Sequence, residues 1–265
     1  MKSITIIGGG NLGNAIAVGF AKSNIISPNN ITVTRRRIHL LGTLKEMGIH
    51  VTDNNCQAVE SAQIIFLAVK PKHIEGILKE IAPHLDRNTI IVSLVTGMSF
   101  SQIESTLGYN CTLFRAMPNT AIAIGESMTC ISAHRASQEQ QDQILTMFKQ
   151  VGQAEIIPEE MMSAATVLGS CGIAFALRFI RASIQGGIEI GFSANLAQTI
   201  AAQTVKGAAE LIIKSGNHPE REIDKVTTPL GITISGLNEM EHQGFSSALI
   251  KGLSTSFKKI ENSKS

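Results

Sequence analysis

Gly8-Gly9-Gly10-Asn11-Leu12-Gly13 follows directly on the β-branched run Ile4–Ile7 and opens a stretch with helical spacing, Asn11–Lys22. A strand, a glycine turn and a helix in that order suit the chemistry of holding a dinucleotide. Gly8 allows the tight turn, Gly10 lets the backbone approach a pyrophosphate, and Gly13 lets the helix pack close to the strand. The helix start offers unpaired amide hydrogens and a partial positive charge to the phosphates. The next apolar run, Ile31–Thr34, leads into Arg35-Arg36-Arg37. A site for NAD usually carries an acid there, about 20 residues past the glycines, to bind the ribose 2′-hydroxyl. Arginines at the start of a following helix are disfavoured by its dipole. A 2′-phosphate would turn that penalty into charge-assisted hydrogen bonds. The residues point to NADPH, with NADH as a weaker substitute, and to Arg35 and Arg36 as readers of the 2′-phosphate. The plainer alternative is a solvated run of charge.

Such a cofactor carries the hydride, so the protein's task is to bind, orient and polarise. No charged catalytic dyad is apparent, and none is required. Cys56, Cys111, Cys130 and Cys171 show no C-x-x-C spacing and no metal-type pairing with histidine. They read as reduced, mostly buried thiols, and no metal site is expected. A net charge of +2 gives no reason to expect a polyanion partner, and an aromatic content of 4% argues against base-stacking surfaces, so no nucleic acid is expected. The longest apolar runs are broken by Arg178, Arg181 and Lys206, and the first one is too short for a signal segment. The expectation is a cytoplasmic protein without a membrane partner.

Stepwise alternation organises the first part of the chain. Apolar runs at Ile4–Ile7, Ile31–Thr34, 64–69, 89–95, 112–115 and 128–131 alternate with helical stretches at Asn11–Lys22, 38–47, 72–84, 101–107 and 138–151. That pattern predicts an α/β fold with a mostly parallel sheet covered on both faces. After Glu159 only helices are predicted, at 163–191, 193–214, Pro219–Asp224, 233–242 and 245–259, with Ser193 as an N-cap and Ser215-Gly216 as a stop. The predicted architecture is a Rossmann-type nucleotide-binding domain over 1–158 and an all-α domain over 159–265. The first of these long helices is rich in small residues, from Ala164 and Ala165 to Gly186 and Gly187. Interior glycine costs about 1 kcal/mol relative to Ala, which suggests a packing reason. The expectation is a homodimer, or a larger assembly built from dimers, through this part.

Three further segments resemble the pyrroline-5-carboxylate reductase family: Phe66-Leu67-Ala68-Val69-Lys70-Pro71, Phe114-Arg115-Ala116-Met117-Pro118-Asn119-Thr120, and Val226-Thr227-Thr228-Pro229-Leu230-Gly231-Ile232-Thr233-Ile234. The resemblance covers essentially the whole chain in the right order. It implies reduction of a cyclic imine carboxylate, 1-pyrroline-5-carboxylate, to L-proline, the last step of proline biosynthesis. It further implies cofactor contacts from Ile7, the segment Gly8 to Gly13, Thr34, Asn55, Ala68, Val69, Lys70, Pro71 and Thr96. Substrate contacts are implied for Met117, Asn119, Thr228, Pro229, Gly231 and Thr233, with the Thr233 hydroxyl donating to the imine nitrogen. Taken alone, Thr233 reads equally as a helix cap, and Asn55 as a cap of the following helix.

Two departures from the family's pattern stand out. Its usual Ser-Gly-Ser-Gly-Pro-Ala is Gly169-Ser170-Cys171-Gly172-Ile173-Ala174 here, where close helix packing is the plainer role, and its Pro-Gly-Gly-x-Thr is Pro229-Leu230-Gly231-Ile232-Thr233. Leu230 demands a changed loop if that position needs positive φ. The rival readings are another imine or small-carbonyl reductase of this architecture, and a nucleotide-binding regulator without turnover. A β-hydroxyacid dehydrogenase would be expected to place a lysine in the long helix, which offers only Arg178 and Arg181.

Overall fold

Ile4–Ile7 and Ile64–Leu67 are apolar at every position and buried along their whole length, as central strands of a sheet covered on both faces must be. The computed structural model describes residues 3–262. In chain order, β1 (Ile4–Ile7) leads to α1 (Asn11–Lys22), β2 (Ile31–Thr34), α2 (Gly42–Glu46), β3 (His50–Thr52), α3 (Asn55–Val59), β4 (Ile64–Leu67) and α4 (Pro71–Ile81). Then come β5 (Ile90–Ser93), α5 (Phe100–Leu107), β6 (Leu113–Met117), β7 (Ser127–His134), α6 (Gln138–Lys149) and β8 (Gly152–Ile156). The strands lie in the order β3-β2-β1-β4-β5-β6-β7-β8; they are parallel through β6, after which β7 and β8 run the opposite way.

Side chains alternate between two cores. Ile4, Ile6 and Phe66 pack with Ile16 and Phe20 of α1 and Phe148 of α6, while Ile7, Ile65 and Leu67 pack with Ile74 and Leu78 of α4 and Ile103 of α5. The winding direction reverses between β1 and β4, which puts the ligand crevice of such a sheet beyond the carboxyl end of β1.

The sequence pattern misses β3 and β8, both at sheet edges. β3 has only three residues, none of them fully buried, and β8 buries only Ala154 of its five. Edge strands bury little and so carry a weak apolar signal. One buried charge completes the sheet. Arg115 on β6 is 4% exposed, and its Nη1 donates to Glu159 Oε1 at 3.1 Å. The same carboxylate oxygen accepts the Phe100 amide at 2.8 Å, at the start of α5.

The chain divides into two compact units, one running through Cys171 and taking in the segment from Ser256, the other being Gly172–Thr255. The helix expected over 163–191 is interrupted: α7 (Met162–Ala165) gives way to a π-helical turn, Thr166–Cys171, before α8 (Gly172–Glu189). Next are α9 (Ala194–Ser215), α10 (Pro219–Asp224), α11 (Ile232–His242) and α12 (Phe245–Asn262). Ser193 does stand at the N-cap of α9, but its side chain makes no capping bond; Gly216 ends that helix at φ +65. Small residues do admit close packing at one point, where a Cβ on Gly187 would lie 3.1 Å from the Ala197 Cβ. Within Gly172–Thr255 only Ala197 and Ala201 are buried, and Leu177, Phe179, Leu211 and Ile213 are exposed.

Two particulars differ from the sequence reading: one long apolar run is not broken by charge, and most of the cysteines are not fully buried. The helical run Glu159–Glu189 is, by length and composition, apolar enough to cross a membrane, because Arg178 and Arg181 fall late in it and leave 161–177 uncharged. All four cysteines are free, but only Cys111 is fully buried; the other three are half-buried. Burial pushes the Cys111 thiol up to about 11 and raises Cys130 and Cys171 as well, so these are poor nucleophiles. Among the described residues no cluster of His, Cys, Asp and Glu is arranged to hold a metal.

Candidate functional site

The glycine loop is tied to the end of the neighbouring strand. The amides of Gly8 and Gly9 both donate to the Thr34 carbonyl, at 3.1 and 2.7 Å, and the Gly10 amide turns back to the Gly8 carbonyl at 2.8 Å. With those amides committed, the first three of α1, on Asn11, Leu12 and Gly13, are the ones left for an anion.

Each glycine has a separate reason. Gly8 sits at φ +107, and a Cβ there would lie 2.5 Å from the Ala68 carbonyl oxygen of the β4 end. A Cβ on Gly13 would run into the Gly8 carbonyl oxygen. Gly10 differs: its φ is −83 and a Cβ would meet nothing within 4 Å. The chain's own packing does not ask for glycine at Gly10. The open face beside it is a cradle that a side chain would fill, which fits a dinucleotide drawn up against the loop.

A cleft of about 650 Å³ runs past this loop. It brings together Ile7, Gly8, Gly9, Gly10, Thr34, Arg35, Arg36, Asn55, Ala68, Val69 and Lys70 from the sequence-predicted set. The remaining members lie close by in the chain but outside its lining. Asn11, Leu12 and Gly13 form the first turn of α1, while Pro71 and Thr96 line an adjoining cleft of about 710 Å³ between α4 and α5. Sequence reading missed Asp53, Lys72, His73 and Glu80, which also line the first cleft. A signal for Lys72 and His73 was present. They follow Pro71 in the first turn of α4, directly beyond the carboxyl end of β4, where ligands of parallel sheets bind.

Hydrogen bonds fix the part of this cleft that Thr34 and Asn55 line. Thr34 Oγ1 donates to Asn55 Oδ1 at 2.6 Å, and Asn55 Nδ2 donates to Glu80 at 3.3 Å. The cap of α3 is Asn54, whose side chain accepts the Gln57 amide at 3.0 Å, so Asn55 is not the capping residue. Arg35 Nη1 donates to the Gly9 carbonyl at 2.7 Å.

Met117 is buried at the end of β6, and Asn119 follows it. The Asn119 side chain is committed at both ends: Oδ1 accepts the Ala121 amide at 3.0 Å, and Nδ2 donates to the Gly169 carbonyl at 3.3 Å. Ser170 Oγ, in the same π-helical turn, donates to the Pro118 carbonyl at 2.7 Å. These two bonds latch the turn onto the end of β6, a role that helix-packing arguments had not suggested.

Thr228, Pro229, Gly231 and Thr233 belong to the second unit. The Gly231 amide closes a turn on the Thr228 carbonyl at 2.9 Å, with Pro229 second and Leu230 third. Leu230 has φ +60, so leucine occupies the left-handed position that a type II turn normally gives to glycine. Gly231 is the N-cap of α11, which makes Thr233 the second helical residue rather than the cap. Thr233 is exposed, and its hydroxyl has no hydrogen-bond partner among the described residues.

Residues 159–263 match the family model for pyrroline-5-carboxylate reductase dimerisation, and residues 3–97 match that for NADP oxidoreductase, coenzyme F420-dependent. Pyrroline-5-carboxylate reductase 2 of Dictyostelium discoideum is 43% identical over 278 residues, which cover 99% of this chain and 93% of that protein. The chain belongs to the pyrroline-5-carboxylate reductase family. Pyrroline-5-carboxylate reductase 1 of the same organism is 45% identical over 96% of the chain, which spans 48% of that reductase's length. The crystal structure of Plasmodium falciparum pyrroline carboxylate reductase with NADP bound superposes with a TM-score of 0.92 at 26% identity, covering 100% of this chain and 98% of that one. As a family member the chain is an oxidoreductase with a nicotinamide-nucleotide fold, and it pairs an N-terminal Rossmann-type unit with a helical dimerisation region.

Proposed function

We propose that this chain reduces 1-pyrroline-5-carboxylate to L-proline with NADPH, as a cytoplasmic homodimer or a larger assembly of such dimers. The observation that carries the reading is the open face at Gly10 beside a cleft that Arg35 and Arg36 also line, in a chain of this family. In this reading residues 1–158 hold the nucleotide and residues 159–265 dimerise and hold the substrate. The exposed apolar side chains of α8 and α9 suit burial against a second copy.

NADPH, when bound, supplies the hydride. The amides at the start of α1 hold its pyrophosphate. Ile7, Ala68, Val69, Lys70, Pro71 and Thr96 line its path toward the strand ends, and Asn55 and Thr34 meet the adenosine ribose. The substrate carboxylate is met by amides of the loop 228–233, where α11 begins and backbone N–H groups lack intrahelical partners. Pro229 and Gly231 set that turn. Thr233 donates its hydroxyl hydrogen to the ring nitrogen, the atom that becomes more basic as the carbon beside it is reduced. Met117 and Asn119 shape the end of β6 on the substrate's side.

Oxidation of NADPH in the presence of pyrroline-5-carboxylate, compared with open-chain 2-oxo acids and 3-hydroxy acids, tests the reading. Turnover with the cyclic imine alone is the expected result; NADPH binding with no turnover would overturn it. In the same assay Thr233→Val is expected to lower turnover about 10- to 100-fold with the NADPH Michaelis constant unchanged. Part of the loss should return at lower pH, where more substrate arrives already protonated.

A further inference from the structure

Arg35 and Arg36 stand side by side at the end of β2, and the structure gives them different work. The Arg35 amide donates to the Thr52 carbonyl at 2.9 Å, which fixes its backbone against β3. Its guanidinium turns back to the glycine loop, and Nη1 donates to the Gly9 carbonyl at 2.7 Å in a partly buried position. Gly9 itself is buried, and that carbonyl has no other hydrogen-bond donor among the described residues. Swinging Arg35 away to a phosphate would strand a buried carbonyl, which is unfavourable. Together with the Gly8 and Gly9 amides on Thr34, three hydrogen bonds run between residues 34–35 and residues 8–9. Arg36 lines the same cleft, is exposed, and makes no hydrogen bond or ion pair among the described residues, so it gives up nothing by turning to a ligand.

We propose that Arg35 is a positioning residue that holds the glycine loop in shape for any nicotinamide dinucleotide, whereas Arg36 alone sets the preference for a 2′-phosphate. The inference rests on the nucleotide reading above. It departs from the expectation that the two arginines share one task.

The test uses the full-length protein and titrates NADPH and NADH into the wild type, Arg35→Ala, Arg35→Gln and Arg36→Ala, reading dissociation constants by cofactor fluorescence. Amide hydrogen exchange at Gly8 and Gly9 is measured on the same proteins without nucleotide. Arg36→Ala is expected to cut the NADPH-over-NADH preference about 10- to 100-fold, as loss of a charge-assisted hydrogen bond to phosphate should. It should leave the loop amides exchanging at the wild-type rate. Arg35→Ala is expected to weaken both nucleotides alike, keep the preference ratio, and speed exchange at Gly8 and Gly9. Arg35→Gln keeps an N–H donor without the charge and should shift both nucleotides together by less. If Arg35→Ala or Arg35→Gln loses NADPH affinity alone, with loop exchange still slow, the inference falls and the nucleotide reading stands. A wild type that takes up neither nucleotide overturns both.

Discussion

Two loops in this reductase each lead into a helix amino terminus, and they meet the left-handed backbone region with different residues. Ahead of α1, Gly8 adopts φ +107 with the Ala68 carbonyl so near that no side chain fits. Ahead of α11, Leu230 adopts φ +60 and is 104% exposed, touching nothing that would forbid a side chain. The first loop is shaped from within, because β4 and α1 press on it and glycine is the only residue that satisfies them. The second is shaped by its own turn, with Pro229 ahead of Leu230 and the Gly231 amide closing on Thr228. Leucine in that position carries about 1–2 kcal/mol of conformational strain. Strain of this kind collects where a protein binds or switches; the second loop carries it in an exposed turn, and the first avoids it with glycine.

Three substitutions sharpen or break that contrast. The largest effect is expected from Gly13→Ala, whose Cβ would collide with the Gly8 carbonyl oxygen, a backbone atom that cannot swing aside. A loss of about 3 kcal/mol of stability is expected from denaturant unfolding, at the upper end of what overpacking does. An unchanged midpoint would mean that the loop is not shaped from within. Gly10→Ala should leave stability within about 0.5 kcal/mol of the wild type, because its φ suits any residue and the space is empty. Nucleotide affinity should nevertheless fall on the order of tenfold, about 1.4 kcal/mol. Equal losses of stability and affinity would erase the distinction between Gly10 and its neighbours. Leu230→Gly is expected to have the smallest effect. Relief of strain less the added freedom of the unfolded chain leaves a gain of about 0.5–1 kcal/mol in thermal unfolding. Destabilisation instead would show that the leucine side chain has packing that the single chain does not display.

Much of this was legible in the sequence because it rests on local chemistry. The glycine spacing, the buried runs of β1 and β4, and the arginines after β2 are all short-range patterns, and the structure joins them in one cleft. Other features depend on residues distant in the chain. Nothing near Ser170 announces that its hydroxyl will meet Pro118, 52 residues earlier. The π-helical turn over Thr166–Cys171 likewise looks like any other stretch of small helical residues. Arg35 and Arg36 were indistinguishable as letters, and only the hydrogen bond to Gly9 separates them. Asn54 and Asn55 posed the same difficulty: adjacent identical residues, one a cap and the other a partner of Thr34 and Glu80.

The carboxylate of Glu159 has a bearing on how the chain comes into being. Arg115 and the first amide of α5 both wait for an oxygen that lies 44 and 59 residues further along. During synthesis the six strands of the parallel part can emerge and pair well before that oxygen exists. Until it arrives, β6 carries a buried guanidinium without its counter-ion, a situation that destabilises folded proteins by about 3–5 kcal/mol. The sheet therefore closes from the downstream side. The first residue after β8 and its short linker Ile157-Pro158 does the closing, and the nucleotide-binding unit reaches full strength only once the start of the helical region has left the ribosome.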